Sequence, residues 1–298
     1  TAHNRWLVDW CNEFPERRAG VGQIFLNDVD DAIADVRWIK ENGLRGGILL
    51  PNIAPDVKWV KPLYDRCYDP LWQVLQDLEV PINIHSGSGN PDYGPYPVSM
   101  LLYINEVPFY TERPLVQLIL SGVFERFPRL KVVLTEAGCA WVPPLLERLD
   151  TNIRSIRDTG ATGEIRYGAD HILPKDATEY FHQNVWMGVS QPRQADADAR
   201  HIIGLDKFMW GSDYPHDEGT YPYTRENLRA RFSDAPEAEM RKILAGNAAE
   251  MYGFDLDALA PLAARIGPTV EEVARPIGGV PDKSLERISG DMDASAIK

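Results

Sequence analysis

The strongest constraint on the fold is an alternation. Short apolar runs recur along the chain, and amphipathic stretches with helical spacing lie between them. Val21–Leu26 is the first such run. Asn27 or Asp28 can then cap a helix carrying Val29, Ile33, Val36 and Ile39 on one face, and Gly43 ends it. Gly47–Leu50 is a second apolar run, closed by Pro51. Leu71, Val74, Leu75 and Leu78 stripe the helix that follows, and Pro81–His85 reads as a strand opening into the glycine-rich Ser86–Gly89. Further strands are expected at Lys131–Glu136, Val185–Val189 and Lys207–Gly211. Helices are expected across Leu145–Ile156, near Ala195–Ile203 and across Met240–Met251. The region from Met100 to Phe127 reads as partly helical, and residues 157–180 show no clear period.

Continuous apolar strands alternating with helices imply a parallel sheet covered by helices. Two architectures satisfy this, an open doubly wound sheet and a closed (β/α)8 barrel. Neither a GxGxxG nor a P-loop is present, which weakens the nucleotide-binding open sheets. Only six strands are read, beginning near residues 21, 47, 82, 131, 185 and 207, whereas a barrel needs eight. The chain opens on a helix-like segment with Trp6, Leu7 and Trp10. Either the sheet is not a closed barrel, or its first two strands lie outside these 298 residues.

Net charge is −13, so nucleic acid and anionic membrane surfaces are poor partners, and no apolar stretch approaches the length of a membrane span. The three cysteines, Cys11, Cys67 and Cys139, are odd in number and form no CxxC. They read as reduced, buried thiols of a cytoplasmic protein. Cys139 has no evident base beside it and is not expected to be a nucleophile.

Chemistry in a parallel α/β protein sits at the carboxyl ends of its strands. Three of the six strands end in a residue that can bind metal or move protons: His85, Glu136 and Asp213. An imidazole and two carboxylates converging on one mouth can hold a divalent ion. The ion would activate water for attack on a carbonyl carbon, with Asp213 accepting the proton as general base. Singly, each has a plainer explanation, such as a hydrogen bond, an arginine pair or a turn former, but their equivalent positions favour a shared site. His216, three residues after Asp213, is a candidate for a substrate or acid–base role. Tyr214 and Trp210 are candidate substrate contacts for a flat or aromatic ligand. The long Gly/Pro/Tyr loop after His85 suits a lid or pocket wall.

Several ordered phrases then carry a resemblance: KPLY (61–64) with YDPLW (68–72), IHSG (84–87), SGVFERFP (121–128), LKVV (130–133) and MWGSDYPH (209–216). Together they resemble the amidohydrolase-related family, the branch of the amidohydrolase superfamily that includes aminocarboxymuconate-semialdehyde decarboxylase. The resemblance covers about residues 5–253. It implies a distorted (β/α)8 TIM barrel, here incomplete at its N-terminus, and one divalent metal ion, with zinc first and manganese or iron as alternatives. It implies that His85 is the ligand ending the family's fifth strand. Asp213 would be the ligand and proton acceptor ending the eighth.

Two departures stand out. The family's first strand carries a histidine pair that is absent here, in keeping with the strand count. The decarboxylases place a histidine where this chain has Glu136. The expected ligand set is therefore His85, Asp213 and Glu136, with Asp213 and His216 as catalytic groups. Residues 1–253 are expected to form the barrel, with 254–298 as a C-terminal extension. The expected function is a metal-dependent hydrolase of a small carbonyl substrate. The alternatives are non-oxidative decarboxylation of a small aromatic or unsaturated acid, or a non-catalytic scaffold subunit. A homodimer is expected, completed by an upstream segment of the same gene product.

Overall fold

A computed structural model describes residues 2–281. Among the described residues there are eight strands: β1 (Val21–Gln23), β2 (Gly47–Leu49), β3 (Ile82–His85), β4 (Val132–Thr135), β5 (Ala161–Thr162), β6 (Ile165–Arg166), β7 (Val185–Ser190) and β8 (Phe208–Gly211). Six of them form one sheet in the order β1-β2-β3-β4-β7-β8, and every pair is parallel. β5 and β6 make a separate small antiparallel hairpin in the stretch that lacked a clear period.

The strand order decides between the two architectures left open by the sequence. In a doubly wound sheet the order reverses at a switch point. Here each new strand is added beside the preceding one, so the sheet winds in one direction as a barrel does. Among the described residues, β1 and β8 are its edges.

The period of two along each strand sorts side chains onto two faces. Ile82 and Ile84, Val132 and Leu134, Val185, Met187 and Val189, and Phe208 all face the main core, beneath the helices. Each is fully buried. The opposite parity supplies a smaller cluster, Val133 and Met209 with Met251, flanked by Trp186 and Tyr252. Asn83 also lies on this inner face. Its Nδ2 donates to the carbonyls of Gly46 and Ile48, and its Oδ1 accepts from Tyr252 Oη at 2.8 Å. A buried amide with its partners supplied can thus tie β2, β3 and the helix Asn247–Tyr252 together. Truncating one buried strand side chain, such as Ile84→Ala, is expected to cost about 2–5 kcal/mol.

The helices follow local chemistry. Asp28 caps Val29–Glu41 by accepting from the amides of Asp30 and Asp31, while Val36 and Ile39 are buried beneath it. Ser99–Leu120 is one continuous helix although it contains Pro108 and Pro114. Helices Leu256–Ile266 and Val270–Val273 follow Gly253, and Val273 reaches the main core. The remainder of the expected extension, 282–298, lies outside the described residues. One expectation needs correction: Cys11 and Cys139 are buried, but Cys67 is exposed, because it sits in the short turn Arg66–Tyr68 rather than under a helix.

Candidate metal and active site

Three neighbouring strands end in the same unusual way. Glu136 follows β4 directly, Gln191 follows β7 directly, and Asp213 lies two residues beyond β8. All three adopt positive φ, at 62°, 47° and 60°, a region that non-glycine residues visit rarely and at some cost. Ladder hydrogen bonding persists to the turn, with Glu136 N donating to Gly188 O and Gln191 N to Gly211 O. In an unbroken pleat, residue 136 would follow Val132 and Leu134 toward the outer core. The left-handed turn instead carries Glu136 over the end of the sheet.

There, Glu136 Oε2 lies 2.7 Å from His85 Nε2. The other ring nitrogen of His85, Nδ1, lies 2.6 Å from Ser86 O. A carbonyl only accepts, so Nδ1 carries the hydrogen and Nε2 is the atom turned to the site. Burial raises the proton affinity of Glu136, the His85 ring opposes that shift, and the charge of Asp213 adds to it.

Asp213 is the least exposed of these groups, its side chain 7% accessible. Its Oδ2 accepts from Gln191 Nε2 at 2.7 Å and its Oδ1 faces His216 Nδ1 at 3.0 Å. The loop carrying it is tightly folded. His216 N donates to Asp213 O, Gly219 N to His216 O, and Thr220 N closes back on Ser212 O at 2.8 Å. That fold brings Asp213, His216 and Glu218 to one side. The charge of Asp213 raises the proton affinity of His216, whose ring is half exposed.

Ligand atoms of Glu136, Asp213, His216 and Glu218 all lie within 4.8 Å of one another. Three carboxylates that close repel one another unless positive charge sits among them, and hard oxygens with one ring nitrogen suit zinc or manganese. The donor set therefore fits a divalent ion. His85 joins the group through its contact with Glu136 Oε2 and is outside the four-member cluster itself. Beside His85 a cavity of about 440 Å³ opens over the ends of β1, β2 and β3, lined by Gln23, Phe25, Leu50, Asn52 and Ser88.

Trp210 is half-buried against the main core, with its Nε1 buried and unpartnered. Tyr214 is 68% exposed and packs edge-on against Tyr221 at 5.6 Å. Sequence reasoning missed Gln191 and gave Glu218 no role. The strand-end position that singled out His85 and Glu136 also marks Gln191, but an amide is neither a usual metal ligand nor an acid.

A model of the amidohydrolase family matches residues 1–254. A gamma-resorcylate decarboxylase from Polaromonas sp. is 27% identical over 258 residues, covering 84% of this chain and 74% of that protein. Among solved structures, the 5-carboxyvanillate decarboxylase of Sphingomonas paucimobilis superposes with a TM-score of 0.67 at 24% identity, covering 85% of this chain and 71% of that one. A dihydroxybenzoic acid decarboxylase from Polaromonas sp. JS666, with bound manganese and the inhibitor 2-nitroresorcinol, gives a TM-score of 0.64 at 22% identity. It covers 85% of this chain and 74% of that one. At these identities the structural likenesses establish a shared fold.

Proposed function

We propose that the chain, which belongs to the amidohydrolase family, is a divalent-metal-dependent carboxy-lyase that removes carbon dioxide from a small aromatic or unsaturated acid. The observation that carries this over hydrolysis is the likeness to a gamma-resorcylate decarboxylase across most of the chain. A hydroxybenzoate is accordingly the first substrate class to test. The sequence alone favours hydrolysis of a carbonyl substrate with decarboxylation as the alternative, and the likeness reverses that order.

Decarboxylation breaks the bond between the carboxylate and the ring or vinyl carbon. The electron pair stays on that carbon and a proton replaces the lost group. His85, Glu136 and Asp213 would hold the ion, with Glu218 in reach as a further donor. When bound, the ion supplies positive charge for the substrate's oxygens. Gln191 fixes the Asp213 carboxylate through Oδ2. His216 is the acid of this reading. Its Nδ1 faces Asp213 Oδ1, whose charge favours the imidazolium, and Nε2 is then the donor to carbon. An imidazolium is therefore at hand from the loop after β8. The cavity beside His85 would take the flat acid; Tyr214 and Trp210, the substrate contacts expected from the sequence, are not among its lining residues.

In this reading the ion is zinc or manganese, residues 1–253 form the barrel with 254–298 as an extension, and the protein is a cytoplasmic homodimer. An upstream segment of the same gene product would supply two strands between the edges β8 and β1, which the sheet order leaves without a second neighbour among the described residues. Manganese-loaded protein should release carbon dioxide from a panel of hydroxybenzoates, and Asp213→Asn should not. Hydrolysis of amides or lactones without carbon dioxide release would replace this reading with the hydrolytic one.

A further inference from the structure

Glu136 and Gln191 hold left-handed conformations at the ends of two adjacent strands, and such conformations persist only where surrounding structure fixes them. One buried side chain joins the turn after Glu136 to the helix N-cap that follows Gln191. Asp196, 6% exposed, lies in the first turn of the helix Gln194–Ile203. Its Oδ1 accepts from Cys139 N at 2.7 Å and Ala140 N at 3.0 Å, both in the turn that follows Glu136. Its Oδ2 accepts from Arg193 N at 2.9 Å, two residues after Gln191. The Asp196 carbonyl adds a contact, accepting from the Cys139 thiol at 3.4 Å.

The fit between the turn and the carboxylate is close. Gly138 has φ +61°, and a Cβ there would stand 2.7 Å from Asp196 Oδ1. Hydrogen bonds from amides to a buried carboxylate are charge-assisted, and leaving any of them unmade exposes a donor with no water to turn to.

We infer that Asp196 is a positioning residue, a single carboxylate that clamps the Glu136 turn to the Gln191 turn and so sets the spacing between Glu136 and the Asp213 that Gln191 holds. The inference rests on the proposed role of Glu136 and Asp213 in holding a cation. It adds that the precision of that site comes from a residue which touches neither the ion nor the substrate.

The test compares Asp196→Asn with Asp150→Asn. Asp150 is also a buried carboxylate, accepting from Thr178 N and Oγ1 away from the mouth. The first readout needs no metal: amide hydrogen exchange across 132–141. Asp196→Asn should speed exchange in 136–141 at least tenfold, and Asp150→Asn should leave that segment unchanged. The second readout is manganese binding by calorimetry, where Asp196→Asn should weaken affinity about tenfold or more and Asp150→Asn less than twofold. Wild-type exchange and affinity in a folded Asp196→Asn would overturn the inference. If Asp196→Asn does not fold, Gly138→Ala presses on the same carboxylate from the other side. Wild-type behaviour there would overturn it equally. If the wild type itself takes up no manganese, the cation reading fails, and the exchange readout alone decides the role of Asp196.

Discussion

The side-chain amide of Gln191 donates to Asp213 Oδ2 at 2.7 Å, joining the ends of two adjacent strands through a neutral group and a carboxylate. A hydrogen bond to a charged acceptor is worth about 1.5–3 kcal/mol. Gln191→Ala should therefore lower kcat/KM about ten- to a hundredfold while the protein stays folded. Steady-state kinetics on the substrate that proves active, with circular dichroism as the folding control, checks this. An unchanged kcat/KM would remove Gln191 from the machinery.

His216 is read as an acid, and general acids contribute about 10²–10⁴ in rate. His216→Gln should lower kcat by that order and shift manganese affinity by only a few fold. A parallel collapse of metal affinity would make His216 a ligand instead, a role its place among Glu136, Asp213 and Glu218 also permits.

Much of the fold is legible in the sequence alone. All six sheet strands start within one residue of the positions read from the sequence, because runs such as Val132–Leu134 are apolar on both parities and end at a polar residue. The helix Ser99–Leu120 was harder to see, since Pro108 and Pro114 ordinarily mark breaks. The direction of winding depends on which strands pair, and local patterns do not carry that. At the sheet's end, the strand-end rule picked out His85, Glu136 and Asp213, which the fold brings to one mouth. It passed over Asp196 because an aspartate near a helix start reads as an ordinary surface residue, and its value appears only when Cys139 and Ala140 arrive beside it.

Lys207 offers a pH test away from the candidate metal site. Burial pushes its ammonium down to about 8 from the usual 10.5, and Nζ lies 3.6 Å from the centroid of the Trp186 ring. Between those two values the unfolded chain binds a proton that the folded chain does not, so this group makes stability rise with pH across the window. Below about pH 8 the penalty is fully in place. Urea unfolding of wild type and Lys207→Met from pH 7 to 10.5 should show their difference moving in favour of the wild type. A difference constant with pH would mean that Lys207 titrates at its ordinary value.

The thiols separate by burial. Burial raises the proton affinity of Cys139 strongly, and Cys67 is raised as well, by partial desolvation and then by the Asp65 carboxylate. Ellman's reagent should label one thiol in the native protein and all three in denaturant. Cys67→Ser should abolish the native reaction. Labelling of Cys139 at the same rate would show that the Glu136 turn opens far more often than its clamp allows.

One cation is proposed to sit among Asp213, Glu136 and His85. The most direct measurement is anomalous diffraction at the metal edge from crystals grown with zinc or manganese. A single peak is expected within about 2.0–2.2 Å of carboxylate oxygens of Asp213 and Glu136, shared with an imidazole nitrogen. A peak elsewhere, or no peak at that mouth in crystals of protein that turns over its substrate, would contradict it.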